Sequence, residues 1–239
     1  MRAIFWGGFP PLLLVAAAVT SAQTPTPLPF RGAQMQAIAT ALGVDCNYCH
    51  VAVPNTQAGF DYVSDANPKK RIARMMIAMT ADINAAIPAA MLRPASETLT
   101  VSCATCHRGV ADPRPLPDIL IRTFETDGEA ALIAKFRDLR SRYYGRDVYD
   151  FSDTAITRVA SRLTDRSLTA AVAFLQANLE FNPRSADSYV LMAMIQIRRL
   201  DDAGALGYIQ KALEIDPKHP LAQGYDLQLK QYQRLKPQR

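Results

Sequence analysis

Two copies of one five-residue pattern use every cysteine in this chain of 239 residues. The sequence reads Cys46-Asn47-Tyr48-Cys49-His50 in the first copy and Cys103-Ala104-Thr105-Cys106-His107 in the second. Cys-x-x-Cys-His is the spacing of c-type haem attachment. Two intervening residues let the thiols form thioethers at one edge of the macrocycle, and the next residue offers an imidazole to the iron. The pattern predicts two covalently bound haem c groups, attached at Cys46, Cys49, Cys103 and Cys106, with His50 and His107 as proximal iron ligands.

Cysteine has other uses, namely zinc sites, redox-active Cys-x-x-Cys pairs and disulfides. None of them needs a histidine directly after both cysteine pairs. The third histidine of the chain, His219, lies in a turn-like context between two prolines, and we expect it on the surface. Two bis-histidine haems are therefore excluded from this chain alone, and the sixth ligands must come from other groups.

The first residues have the features of an export signal. Arg2 supplies the positive start, the range 9–19 an apolar stretch, and Thr20-Ser21-Ala22 a small-residue cleavage site. The apolar stretch is short for a membrane span, and an uncleaved anchor is the alternative. We predict cleavage near Ala22 and a periplasmic location.

The formal charge of +5 is spread along the chain. The short basic cluster Lys69-Lys70-Arg71 and the tail 230–239 are interpreted as solvated surface, with a docking patch as the alternative. No basic stripe indicates nucleic-acid binding.

A helix is predicted just before the first motif. Met35, Ile38 and Leu42 share one face of it, and Gly43 is placed to end it in a left-handed cap. The spacing alone does not decide whether Met35 is an iron ligand or a core side chain.

A second helix is predicted after the first motif. Asn67 is a good N-cap, Pro68 fits the first helical position, and Pro88 is expected beyond the end. Its apolar stripe carries three candidate ligands, and periodicity does not choose among Met75, Met76 and Met79.

Several short segments, in order, resemble the cytochrome c subunit of photosynthetic reaction centres over about residues 30–117. They are 41–50, 71–76, Met79-Thr80, Ile83-Asn84 and 105–109. That family carries four haems in two helix-rich halves, and each attachment site follows a helix. The resemblance implies that this chain corresponds to one two-haem half.

The resemblance also implies the remaining ligands. It puts Met35 at the distal iron position of the first haem and Met76 at that of the second, with Met79 as a packing neighbour. The family's extra histidine ligand aligns near Ala90, so the bis-histidine haem has no counterpart here.

The function implied is electron transfer rather than enzymatic catalysis. A methionine in the sixth position raises the haem potential and leaves no ready site for oxygen or peroxide. We expect a periplasmic dihaem carrier with a redox protein as donor and another as acceptor, a membrane-bound redox complex being a candidate. The alternative is a haem enzyme or sensor with one open iron site, such as a peroxidase.

The second half of the chain contains a repeat with a period of 34 residues. The segment 179–183 matches 213–217, and Ala171 and Leu175 match Ala205 and Ile209. This pattern resembles tetratricopeptide repeats, which are stacked helix pairs. Such stacks offer a surface to a protein partner; the alternative is a buttress for the haem domain.

The predicted fold class is all-α, with few helices and long loops around the haems and an α-solenoid after them. Ahead of the solenoid, a capping box at Thr126 to Glu129 is expected to open a helix that reaches Tyr143 before Gly145. The predicted divisions are a signal peptide at 1–22, a dihaem domain at 23–118, a linker helix region at 119–151 and helical repeats at 152–239.

Overall fold

The fold is all-α, as predicted. The structure is a computed structural model that describes residues 32–55 and 59–235. The predicted export signal at residues 1–22 lies outside the described residues. No helix within the described ranges combines the length and the apolar character needed to cross a bilayer.

The described residues up to 115 (32–55 and 59–115), which carry both attachment motifs, contain three α-helices and one small hairpin. They are α1 (Gly32–Leu42), β1 (Val51–Ala52), β2 (Phe60–Asp61), α2 (Pro68–Met91) and α3 (Cys103–His107). The strands pair antiparallel, with Val51 opposite Asp61.

Helix α1 ends as the sequence predicts. Gly43 has a φ of +63° and provides the left-handed cap. A second constraint acts on the same position, because a Cβ on Gly43 would meet the carbonyl oxygen of Gly109 at 2.0 Å. The amide of Gly109 in turn donates to the carbonyl of Ala41 at 2.8 Å. The end of α1 therefore lies directly against the turn that follows the second attachment motif.

Helix α2 begins as predicted and ends later than predicted. Asn67 caps it by accepting a hydrogen bond from the Lys69 amide, and Pro68 occupies its first turn. Pro88 lies inside the helix, however, which continues to Met91 and ends at Leu92 in a left-handed conformation. The expectation that Pro88 lies beyond the end is wrong. A proline this close to the C-terminus interrupts only the final turn, so its cost stays local.

Residues 116–235, called the helical half below, contain six α-helices. They are α4 (Leu116–Tyr143), α5 (Asp153–Thr164), α6 (Leu168–Phe181), α7 (Ala186–Arg198), α8 (Asp202–Ile215) and α9 (Pro220–Leu235). Successive helices from α4 to α9 contact one another. Both ends of α6 reappear 34 residues later in α8, and the matched residues Ala171, Leu175, Ala205 and Ile209 are all fully buried. The helix pairs follow the predicted period, and their assignment to tetratricopeptide repeats stays a prediction.

Helix α4 consists of two helical stretches joined across a kink, and the sequence predicts the second of them. It begins at Leu116 and is interrupted at Gly128, where φ is +83°. The Thr126 hydroxyl donates to the carbonyl of Arg122 instead of capping a new helix. A second helical stretch starts after Gly128 and runs to Tyr143, so the predicted helix is confirmed, although Thr126 makes a different hydrogen bond from the one that a capping box predicts.

His219 is buried and not on the surface. It is 8% exposed, and its Nε2 lies 2.9 Å from a carboxylate oxygen of Asp187 on α7. Its Nδ1 accepts a hydrogen bond from the Ala222 amide at the start of α9. The surface expectation failed because the turn before α9 packs against α7, a contact that the local sequence does not reveal. His219 fixes the last helix to its neighbour.

The hydrophobic core belongs almost entirely to the second half. One cluster joins side chains of α4, α5, α6 and α7, and a second joins α7, α8 and α9. Within residues 32–55 and 59–115, by contrast, Ala41 is the single buried hydrophobic side chain. A segment of this size cannot be stabilised by so little apolar burial.

Phe136 lies at the centre of the first core cluster, with its ring 5.0 Å from that of Phe174 and 6.0 Å from that of Phe181. Phe136→Ala should lower the free energy of unfolding of the helical half by about 3–5 kcal/mol, because it leaves a cavity in a closed core. Denaturant unfolding followed by far-UV circular dichroism measures this. Leu200→Ala, at a position that is 88% exposed, is the control and should change little. Equal effects of the two variants would contradict the core assignment.

Candidate haem sites

Each attachment motif forms a short turn of helix that holds its cysteines on the surface. The first motif is a 3-10 turn at Cys46–Tyr48, and the second is α3 itself. Ser102 caps α3 in a reciprocal capping box with Thr105. All four thiols are free; Cys46 and Cys106 are exposed, and Cys49 and Cys103 are half-buried. The thiols are accessible for thioether formation.

The ring of His107 is held in one tautomer. Its Nδ1 lies 2.9 Å from the carbonyl oxygen of Val110. Because a carbonyl can only accept, Nδ1 must carry the proton and donate it. This leaves the Nε2 lone pair free for a metal, which is the arrangement common among metal-bound histidines.

The environment of His50 is different. Its Nδ1 is buried and has no hydrogen-bond partner within the described residues. The Tyr62 ring contacts the imidazole edge to face, with centroids 5.0 Å apart. Burial lowers the pKa of His50 from its usual value, and the charge of Lys70 lowers it further. This shift favours the neutral imidazole, which is the form that binds metals.

One small cavity brings the two motifs together. It has a volume of about 110 Å³ and is lined from α1, both motifs and α2. Four of the predicted site residues line it: Cys49, Cys103, His107 and Met76. Burial also raises the pKa of the Cys49 thiol.

The other predicted site residues lie outside this lining. Cys46, His50, Cys106 and Met35 are not among the residues that form it. Met35 is half-buried on α1, one turn before Ile38, which does line the cavity. Met75 and Met79 do not line it either, so the structure separates Met76 from its two neighbours.

The apolar face of α2 is exposed. Ile72, Met76, Met79 and Ile83 recur along this face, and each is at least one-third accessible to solvent. Such a contiguous apolar stripe on a helix marks a binding surface. A large, flat, apolar group fits it, since covering the stripe would give the segment the burial that its own side chains do not supply. The free thiols and the oriented His107 ring fit a covalently attached haem.

Polar side chains tie α2 to both motifs. At the start of the helix, the Asn67 amide donates to the carbonyl of Tyr48, inside the first motif, at 3.0 Å. Further along, Asn84 donates to the carbonyl of Val101 at 2.8 Å and accepts from its amide at 2.7 Å. Val101 lies two residues before Cys103. The sequence indicates the N-cap role of Asn67, but neither of these longer contacts.

Lys70 is buried, which corrects the interpretation of its cluster as solvated surface. Its ammonium group donates to three consecutive carbonyls, those of Tyr62, Val63 and Ser64, at 2.8, 3.0 and 2.8 Å. Asp65 lies 3.4 Å away and also pairs with Arg74. Lys70 therefore fixes the loop that places Tyr62 against His50. Its burial follows from the fold of this loop and has no local sequence signal.

Part of the chain is similar in sequence to known proteins. Residues 31–121 match the family of the photosynthetic reaction centre cytochrome C subunit. Over 81 residues, 30% of this chain, the sequence is 36% identical to the photosynthetic reaction center cytochrome c subunit of Rubrivivax gelatinosus. Over 87 residues, 33% of the chain, it is 36% identical to that of Thermochromatium tepidum. The matched part covers 21% and 20% of these relatives, so the chain spans about a fifth of their length.

Lys70→Met should loosen the loop at 59–65. The substitution leaves three backbone carbonyls without their donor, at a cost of about 1–3 kcal/mol in local stability. Hydrogen exchange with mass spectrometry should show faster exchange in this loop. Lys69→Met is the matched control, since Lys69 is exposed and its ammonium lies over the Tyr48 ring. Slow exchange retained in the Lys70 variant would show that the ammonium group does not hold the loop.

Proposed function

We propose that the chain is an exported dihaem c-type cytochrome that transfers electrons between redox partners in the periplasm. The observation that carries the proposal is the cavity where Met76 lies with His107 and Cys103. The thioether comes from α2, and the imidazole and the thiol come from α3; these are the groups needed to attach a haem and ligate its iron. The similarity of residues 31–121 to reaction centre cytochrome subunits supports the same conclusion.

The cysteines and histidines of the motifs would hold the two groups. Cys46 and Cys49 would form the thioethers of the first haem, and Cys103 and Cys106 those of the second. His50 and His107 would be the proximal ligands. When bound, each haem supplies a one-electron ferric–ferrous couple.

Methionines would complete the two iron sites. Met76 is favoured for the second haem because it shares a cavity with His107, whereas Met75 and Met79 do not. Met35 is proposed for the first haem from the family resemblance, and its half-buried position on α1 is compatible with that role. The methionine side chains, once bound to the irons, would keep exogenous ligands from them, which favours a carrier over an enzyme.

The partners follow from the same proposal. The curated relatives are subunits of photosynthetic reaction centres by name, and a membrane-bound redox complex is the corresponding candidate here. The helical repeats are proposed to dock a protein partner. The hydrogen bond from Arg108 to the carbonyl of Asp147 supports the buttress alternative, since it joins the segment of the second motif to the helical half.

The purified full-length protein should carry two covalent haems. Intact-mass spectrometry should show the mass of two added haem groups, and replacing either cysteine pair by serine should remove one. The Cys46/Cys49 and Cys103/Cys106 double variants serve as controls for each other. A mature protein with one haem or none would refute the dihaem proposal.

Met76→Ala should leave one of the two haem irons without its sixth ligand. The oxidised protein should lose part of the weak far-red absorption band that reports methionine bound to ferric haem. The reduced protein should then bind about one carbon monoxide per chain, because a ferrous iron without a sixth protein ligand takes it up. Met79→Ala is the control and should leave both signals unchanged. If Met76→Ala changes neither signal, an open iron site in the native protein, as in a haem enzyme or sensor, becomes the better explanation.

A further inference from the structure

We infer that Asn84 is a positioning residue for the second haem, holding the segment that bears Cys103 and His107 at the distance from which Met76 reaches the iron. The inference rests on the proposed function, because it concerns the ligation of that haem. Asn84 would touch neither the haem nor the iron. It would act through the backbone of Val101.

Two hydrogen bonds join the Asn84 side chain to the backbone of Val101, and this pair of bonds is called the clamp below. The Asn84 side chain both donates to and accepts from Val101, with distances of 2.8 and 2.7 Å. Two bonds to one residue fix its distance and its orientation, whereas a single bond would leave rotation free. From Val101 the chain runs directly into Ser102, the cap of α3. The clamp therefore sets the starting point of the second attachment motif.

The same helix carries the clamp and the proposed ligand. Met76 and Asn84 are eight residues apart on α2, a rise of about 12 Å at 1.5 Å per residue. The opposite ligand, His107, belongs to α3, and its ring is oriented by Val110. Ligation of one iron by both side chains requires α2 and α3 to keep a fixed separation. A displacement of either ligand by even a fraction of an ångström weakens such a metal site.

Other contacts do not duplicate this role. Among the described residues α2 has one buried side chain, Lys70, and does not pack closely against α3. Lys70 and Asn67 hold the start of α2 to the first motif and its loop. Asn84 is the side chain that ties α2 to the entry of the second motif.

The test uses the full-length holoprotein and compares Asn84→Ala with Met76→Ala. With two haems still attached, Asn84→Ala should lose at least half of the far-red band intensity that Met76→Ala loses. Its reduced form should bind carbon monoxide, and the reduction potential of one haem should fall, since loss of the thioether favours ferric iron. Asn84→Asp keeps the acceptor for the Val101 amide and should be intermediate. If the alanine variant attaches only one haem, the aspartate variant takes its place in the comparison.

Asn67→Ala is the matched control. It also removes an asparagine that bonds to the backbone at two points, but at the first motif and the helix cap. It should reduce the Met76-dependent signals less than Asn84→Ala does, because its contacts lie at the first motif and not at the second. The inference is overturned if Asn84→Ala retains the full band, or if Asn67→Ala reproduces its effect. If Met76→Ala itself changes nothing, the proposed ligation has failed rather than the clamp.

Discussion

Helix α2 is held in place by hydrogen bonds and not by a core. Asn67, Lys70 and Asn84 connect it to backbone groups of both attachment segments, while its apolar face remains open to solvent. Hydrogen bonds are directional and give little net stabilisation, about 0.5–1.5 kcal/mol each. They specify where α2 lies, and the free energy needed to keep it there must come mostly from apolar burial. A haem on each attachment motif would provide that burial at the position where these hydrogen bonds hold the helix.

The two halves of the chain therefore depend on different forces. The helical half buries large side chains such as Phe136, Phe174 and Leu132 completely, and its helices contact their neighbours in chain order. Helix α4 joins the halves, because Leu116 and Leu120 at its start already belong to the core of the helical half. Arg108, just after the second motif, also donates to the carbonyl of Asp147 beyond α4. The second motif is thus anchored on one side to α2 and on the other to the helical half.

Local signals in the sequence predicted local structure well. The caps at Asn67 and Gly43 and the 34-residue period each depend on a few neighbouring residues or on a repeated pattern, and the structure confirms them. Failures came where the outcome depends on distant packing. His219 is buried by α7, and Lys70 is buried by a loop that folds back over α2. Pro88 shows a third limit, because a helix can absorb a proline in its last turn when other contacts favour continuation.

Residues 32–55 and 59–115 bury almost no apolar surface, whereas the helical half has a closed core. This difference affects the order in which the two parts of the chain can fold. The part that leaves the ribosome before the helical half is the part least able to fold by itself. The thiols of Cys46 and Cys106 in this part are exposed and would be accessible for haem attachment. The later part can fold as soon as it is complete and needs no cofactor. On the proposed function, haem attachment to the earlier part would then be the last folding step.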